Sequence, residues 1–466
     1  MRREINVYNP YDGSIVGVVE ESTIEDVERA IERAEKAKEL MADTPLYRRA
    51  EILRRTAELI QQRSEDFAMT LVKEVGKTIR EARTEVKRAV EIFNLASEEA
   101  KRLHGETLPF DSVAGSENRR GFFVRVPVGI IGAITPFNVP LVLASHKIAP
   151  AIAGGNTVVF KPATVTPLVG KKLTETILET GLPEDALQIV IGPGDTVGNT
   201  IVRDPRIRMI SFTGSRSVGL EITKSAGLKK IALELGSNSA LIISDKGDVS
   251  SAAQATVRGG FAVAGQVCIS IQRVFVDRKV LDEYLDMLIS LVQSLKVGDP
   301  MKEETDMGPM INEQAAERVE RWIREAVDMG GRILTGGERS KALLQPTVLI
   351  DVPLEAKIIS EEVFGPVVTV IPVNNLLEAI KLTNDSKYGL QAGIFTNDIE
   401  EAFLAIKHLD VGGVIINDGP SYRADFMPYG GVKESGLGRE GIRYALEEMT
   451  EIKTVCFNLK RGGFNL

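Results

Sequence analysis

Cysteine is nearly absent from this chain: Cys268 and Cys456 are the only two in 466 residues. Two cysteines cannot build a disulfide framework, and their scarcity fits a reducing, cytoplasmic compartment. Histidine is almost as rare. His104, His146 and His408 lie far apart and far from any Cys-x-x-Cys pair, which excludes a zinc-type ligand cluster and disfavours a Cys–His hydrolase. Basic excess is missing too. With 57 Lys and Arg against 65 Asp and Glu, the net charge of -8 leaves nothing to neutralise phosphates, so nucleic acid is excluded as a partner. Long hydrophobic runs are also lacking. The longest uncharged stretch, VPVGIIGAITPFNVPLVLASH (126–146), is interrupted by Pro127, Pro136 and Pro140 and diluted by glycine, so it reads as strand, loop and helix start rather than a membrane span. The opening MRREINVYNP has no apolar signal core.

What remains is ordinary for a globular enzyme of two or three units, with 43% hydrophobic and 26% charged residues. ESTIEDVERAIERAEKAKEL predicts a helix with a capping box at Ser22 and Glu25 and an apolar face of Ile24, Val27, Ile31 and Ala34. Residues 45–104 continue as charged amphipathic helices. From Gly129 the texture changes to short apolar runs that end in Gly, Pro or Thr, each followed by a helical pattern: VGIIGAITP, TVVFKPA, LQIVIGP, MISFTGS and IALELG. Strands alternating with helices predict a parallel, doubly wound sheet. After about residue 240 a second α/β series follows, with strands at RVFVD, PTVLIDV, PVVTVIPV, QAGIFTN and GGVIIND. SVAGSENRRGFFVRVPVG reads as an extended hairpin arm and TEIKTVCFNL as an edge strand, the kind of edge another subunit covers.

Ligands of doubly wound sheets collect at the carboxyl ends of strands, and these runs put Asn138, Lys161, Gly214, Ser215 and Glu234 there. Glu234 ends an apolar run, where a carboxylate is expensive unless it is paired or used. Asn138, between prolines, is either a helix N-cap or an amide donor for an oxyanion. Gly214, Ser215 and Gly219 mark a strand-to-helix turn whose free N–H groups can meet a phosphate, though the spacing is neither a Walker nor a Gly-x-Gly-x-x-Gly sequence. Cys268, by itself, is better explained by packing than by nucleophilic chemistry.

The motifs TPFNVP, VVFKPA, FTGSRSVG, LELGSNSA, GQVCIS, EEVFGPV, YGLQAGIFTND and MPYGGVKESGLGREG, in this order, resemble the aldehyde dehydrogenase superfamily over essentially the whole chain, and Cys268 follows Glu234 at the family's interval of 34 residues. The resemblance implies an aldehyde dehydrogenase-like α/β fold: a doubly wound dinucleotide-binding domain (1–108 and 128–236), an α/β catalytic domain (237–434), a return segment on the first domain (435–449), and a small β oligomerisation arm (109–127 and 450–466) that makes a homodimer or homotetramer. It implies Cys268 as nucleophile, Asn138 and the Cys268 N–H as oxyanion donors, and Glu234 as general base. For the dinucleotide it implies Thr135, Pro136, Lys161, Thr164, Gly214, Ser215, Gly219, Glu362 and Phe364, and for Glu440 a water-mediated link to Glu234. No metal is implied.

Departures from the family pattern refine this. Many NAD-preferring relatives carry a glutamate where this chain has Thr164; without that carboxylate a 2′-phosphate is not repelled, so NADP is favoured over NAD. Ser237 and Asn238 replace the usual Gly and Lys after LELG. Glu234 is retained, which favours hydrolysis to the free acid. Val267 before the cysteine weakens a phosphate pocket, and GQVCISIQR with SYRADFMPYGG is closest to the lactaldehyde dehydrogenase-like branch. The expected substrate is a short aldehyde of lactaldehyde, glycolaldehyde or glyceraldehyde type. Succinate-semialdehyde or non-phosphorylating glyceraldehyde-3-phosphate oxidation is the alternative, and a redox-independent cysteine esterase the alternative of another class. Arg423 is expected at the active-site mouth, either binding a substrate hydroxyl or carboxylate or making a surface salt bridge.

Overall fold

A computed structural model describes residues 3–459; the last seven residues of the expected arm, 460–466, lie outside it. Every strand expected from the apolar runs forms. The first series builds a six-stranded sheet in the spatial order Gly436–Leu437, Lys230–Glu234, Ile207–Thr213, Ile130–Ile134, Thr157–Lys161, Leu187–Ile189. All pairings are parallel except that of the two-residue outer strand. The chain winds outward from Ile130–Ile134 in one direction and then in the other, so the switch point lies between that strand and Ile207–Thr213, where such sheets open a ligand crevice. Both faces are covered, and side chains alternate between them: Val158 and Phe160 join one core, Val159 the other.

The helix Ile24–Asp43 begins one residue later than expected. Its capping box is Thr23 with Asp26, because the Ser22 hydroxyl is already occupied, accepting from Ile191 N–H at 2.9 Å. Val27, Ile31 and Ala34 are buried, whereas Ile24 is exposed.

Leu235–Ser239 carries the chain from the carboxyl end of the first sheet to the amino end of a second. That sheet has seven strands, in the order Arg332–Thr335, Thr347–Ile350, Val367–Val373, Arg273–Asp277, Ala240–Ile243, Gln391–Phe395, Gly413–Ile416. Only Arg332–Thr335 is antiparallel. A three-stranded antiparallel sheet stands apart: Thr450–Asn458 pairs with Arg119–Pro127, which pairs with Glu106–Leu108. Its edge strand Thr450–Asn458 exposes Ile452 and Phe457. Among the described residues no helix is long and apolar enough to cross a membrane.

Candidate active site between the two sheets

The loop after Ile130–Ile134 is stiffened by Pro136, and Pro140 opens the helix Pro140–Ala153 at its first position. Asn138 is not the N-cap. That place falls to Val139, which makes no side-chain capping bond. The helix start is served from elsewhere: Glu85 Oε1 accepts from Leu141 N–H at 2.8 Å and Val142 N–H at 3.3 Å, and Glu85 is itself paired with buried Lys77. The Asn138 amide is thereby released from capping. It is 4% exposed, its Nδ2 donates to the Gln266 carbonyl at 2.7 Å, and its Oδ1 has no partner.

Gln266 belongs to the cysteine loop. After the helix Val249–Phe261, Val263, Ala264 and Gly265 all take left-handed backbone angles, φ 51°, 53° and 69°. Each left-handed non-glycine residue costs about 1–2 kcal/mol, so the turn persists only because it is held. Glu81, one turn before Glu85 on the helix Ile79–Ala100, accepts from Val263 N–H at 2.7 Å. The Gln266 side chain donates to Val263 O at 3.0 Å and accepts from Ile311 N–H at 3.0 Å. A Cβ at position 265 would lie 2.1 Å from the Gly365 carbonyl oxygen, so the turn requires glycine there. One helix thus anchors both the Asn138 loop and the Cys268 loop.

Cys268 packs with Val267 against Ile269, Leu390 and Tyr429, and its Sγ lies 3.1 Å from Tyr429 Oη. Burial pushes the thiol up to about 11; the Tyr429 hydrogen bond and the Arg423 charge pull it down, while Glu234 and Glu362 push it further up. A cavity of about 490 Å³ borders this loop, with Val267, Val139, Phe261 and Val263 on its apolar wall and Arg88 and Arg258 among its charged residues.

Tyr429 meets Cys268, and the next residue, Gly430, meets Glu234: a Cβ there would lie 2.8 Å from Glu234 Oε1. Glu234 is 5% exposed and its Oε2 has no partner. Burial, reinforced by the negative charge of Glu440, raises it well above the usual carboxylate range. Glu440 is treated oppositely. Although burial works against its charge, Lys147 at 3.0 Å and Arg423 at 2.9 Å hold it far below that range.

Arg423 is therefore neither at the mouth nor in a surface salt bridge. Its side chain is 8% exposed, because pairing with Glu440 and stacking on the Tyr429 ring, 3.8 Å from the centroid, draw it inward. His146, whose pKa burial lowers, shares Asp425 with Arg88 behind this cluster. Tyr429 and Lys147 were not singled out from the sequence, although a lone charge in the apolar helix PLVLASHKIAPAIA was a usable signal for Lys147.

The crevice at the sheet's switch point gathers the remaining residues. Lys161 ends its strand 4% exposed, with one hydrogen bond, to Pro162 O at 3.2 Å, and no carboxylate; burial alone lowers it to about 8. Thr164 is turned to its own chain, donating to Gly192 O at 2.7 Å. Thr135 N–H donates to Lys161 O at 3.1 Å, while its hydroxyl is buried without a partner; Pro136 follows it in the loop. Gly214 leads into Ser215, whose hydroxyl caps the ten-residue helix Arg216–Ser225. At Gly219 a Cβ would lie 2.5 Å from Leu235, so glycine lets this helix approach the strand-end loop. Glu362 accepts from Ser237 N–H at 3.0 Å, and burial raises it to about 7. Asn238 stabilises the same loop by donating to Ile359 O at 3.0 Å and accepting from Ser386 at 2.9 Å. Phe364, left-handed at φ 47°, sets its ring edge-on to Phe137 at 5.9 Å.

A buried cation without an anion, free amides at a helix start and a carboxylate across the crevice fit a phosphorylated dinucleotide. No group of residues suited to a metal ion occurs among the described residues.

The sequence profile of the aldehyde dehydrogenase family matches residues 1–455. The 3-sulfolactaldehyde dehydrogenase of Priestia megaterium is 46% identical over 456 residues, covering 98% of this chain and 95% of the relative. The lactaldehyde dehydrogenase of Methanocaldococcus jannaschii is 43% identical over 462 residues, 98% of each chain. Among solved structures, the glyceraldehyde-3-phosphate dehydrogenase of M. jannaschii complexed with NADP superposes with a TM-score of 0.95 at 42% identity, covering 98% of this chain and 100% of that one. With its profile matched nearly end to end, this chain belongs to the aldehyde dehydrogenase family of NAD(P)-dependent oxidoreductases.

Proposed function

We propose that this enzyme oxidises a short-chain aldehyde of lactaldehyde, glycolaldehyde or glyceraldehyde type to the carboxylic acid, through covalent intermediates on Cys268. The observation that carries this reading is that contacts on adjacent residues tie three side chains to one region: the Cys268 thiol on Tyr429, the partnerless Glu234 carboxylate beside Gly430, and the Asn138 amide on Gln266 two residues before the nucleophile.

Cys268 attacks the aldehyde carbon to form a thiohemiacetal. Asn138 Nδ2 spends one N–H on Gln266 and has a second for the oxyanion, which also receives the Cys268 N–H. When bound, NADP or NAD supplies the hydride acceptor for the oxidation that leaves a thioester. Glu234 accepts the proton of the thiol or of the water that hydrolyses this thioester, a task suited to a carboxylate with a raised pKa. Lys161, the Gly214–Gly219 turn and Glu362 would hold the dinucleotide, with Thr135, Pro136 and Phe364 around its nicotinamide end. NADP is favoured over NAD because position 164 lacks a carboxylate and Lys161 lacks an anion.

Residues 1–108 and 128–236 form the cofactor domain in this reading, 237–434 the catalytic domain and 435–449 a return segment. The exposed edge Thr450–Asn458 pairs subunits into a dimer or tetramer in the cytoplasm. A second substrate reading, an aldehyde bearing an anion, is supported by relatives named for sulfolactaldehyde and glyceraldehyde 3-phosphate; Arg88 and Arg258 on the cavity wall already pair with Asp425 and Asp418.

An aldehyde panel assayed with NADP and NAD, including sulfolactaldehyde, succinate semialdehyde and glyceraldehyde 3-phosphate, tests the assignment. A rise at 340 nm, fastest with a neutral hydroxyaldehyde, is expected, and Cys268→Ser should lose turnover about 1000-fold or more. No rise with any aldehyde would leave the esterase reading standing.

A further inference from the structure

Cys268 has no histidine to activate it, yet it is not isolated. Tyr429 Oη lies 3.1 Å from its Sγ, and Tyr429 is 2% exposed. Over that phenol ring, the Arg423 guanidinium stacks 3.8 Å from the centroid. Arg423 is held there by Glu440, which Lys147 anchors in turn. The backbone completes the frame, because Tyr429 and Glu440 exchange N–H···O bonds of 3.0 and 2.6 Å. The groups form one chain of contacts: Lys147, Glu440, Arg423, Tyr429, Cys268.

We propose that Tyr429 is a catalytic residue whose hydroxyl donates a hydrogen bond to the Cys268 thiolate, with Arg423 as the positioning residue that holds the phenol and lends its positive charge to the pair. This rests on the reading of Cys268 as the nucleophile and adds what offsets, in part, the burial that disfavours its thiolate. A hydrogen bond to the charged form of an acid favours that form, as does a cation nearby. The charged groups facing Cys268 are Arg423, Glu234 and Glu362; the two glutamates oppose the thiolate, so Tyr429 and Arg423 are the groups that favour it. The guanidinium on the ring face also keeps the phenol in one orientation.

Tyr429→Phe tests this, since it removes one oxygen from a packed site and keeps the ring under Arg423. The rate of Cys268 alkylation by iodoacetamide is followed from pH 6 to 10 by mass spectrometry of the modified peptide, which separates it from exposed Cys456. The expected result is alkylation about tenfold slower at pH 7.5, a profile moved up by about one unit, and kcat/KM for the aldehyde that falls in parallel and recovers toward pH 9 while KM for the dinucleotide is unchanged. A merely structural tyrosine would lower thermal stability and leave the profile in place, and an unmoved profile overturns the proposal. Failure of the underlying reading looks different: alkylation of Cys268 in the parent enzyme would then leave aldehyde oxidation intact.

Discussion

Two sets of buried charge in and behind the site are handled in opposite ways. Behind the site, Glu440 pairs with Lys147 at 3.0 Å and with Arg423 at 2.9 Å. Toward the crevice, Glu234 has an oxygen without a partner, and Lys161 has only a backbone carbonyl. Burying an unpaired ionisable group is expensive, and the first set shows that this fold can supply partners when it needs them. In the proposed reading the unpaired groups are the ones kept for the reaction: Glu234 for the proton of water or of the Cys268 thiol, Lys161 for a phosphate or ribose.

Breaking the unpaired set should cost the most activity with the least loss of structure. Glu234→Gln is expected to lower kcat about 100- to 1000-fold with a near-normal melting temperature, and a burst of reduced cofactor in rapid mixing should persist, because loss of a general base slows hydrolysis of the thioester. Breaking the paired set should do the reverse. Glu440→Gln leaves Lys147 and Arg423 without their carboxylate, at a cost of about 3 kcal/mol read from chemical denaturation, with a loss in kcat of only about tenfold.

The same variant sharpens the comparison through pH. The Glu440 charge raises the Glu234 pKa, so removing it lowers that pKa; the base stays ionised to lower pH, and the acid limb of the kcat profile moves down by roughly half a unit to one unit. An acid limb that stays in place would mean that Glu234 does not control it.

In the crevice, Thr164→Glu introduces the carboxylate that is missing beside Lys161 and should raise KM for NADP about tenfold while changing KM for NAD by less than about twofold. The smallest effect is that of Lys161 itself. Burial lowers it to about 8, so the free enzyme loses this charge as pH rises through 8; NADP affinity measured by fluorescence titration should halve near pH 8 and decline further above it, with NAD affinity nearly flat.

The legible part of the molecule is the part that repeats locally. Strand-length apolar runs located every parallel strand of the first series and five of the second, missing Ala240–Ile243, because a strand buried on both faces must be apolar throughout and must end at a turn. The same logic failed by one residue at the first helix, where Ser22 bonds to Ile191, 169 positions away, and leaves the cap to Thr23. It also left Asn138 undecided between cap and donor, and a carboxylate on another helix resolved that by taking over the helix start.

By itself, then, the amino-acid sequence determined the two α/β series, the family, and which cysteine, glutamate and asparagine stand at strand ends or in the loops between elements. Periodicity and motif order are local properties, and a chain carries them before it folds. Only the tertiary structure decided who touches whom: Arg423 drawn inside to Glu440, the left-handed turn at Val263–Gly265 held by Glu81, and the Cys268 thiol on Tyr429 across 161 residues. Those contacts set each group's charge, and charge in a buried site depends on partners that distance along the chain does not reveal.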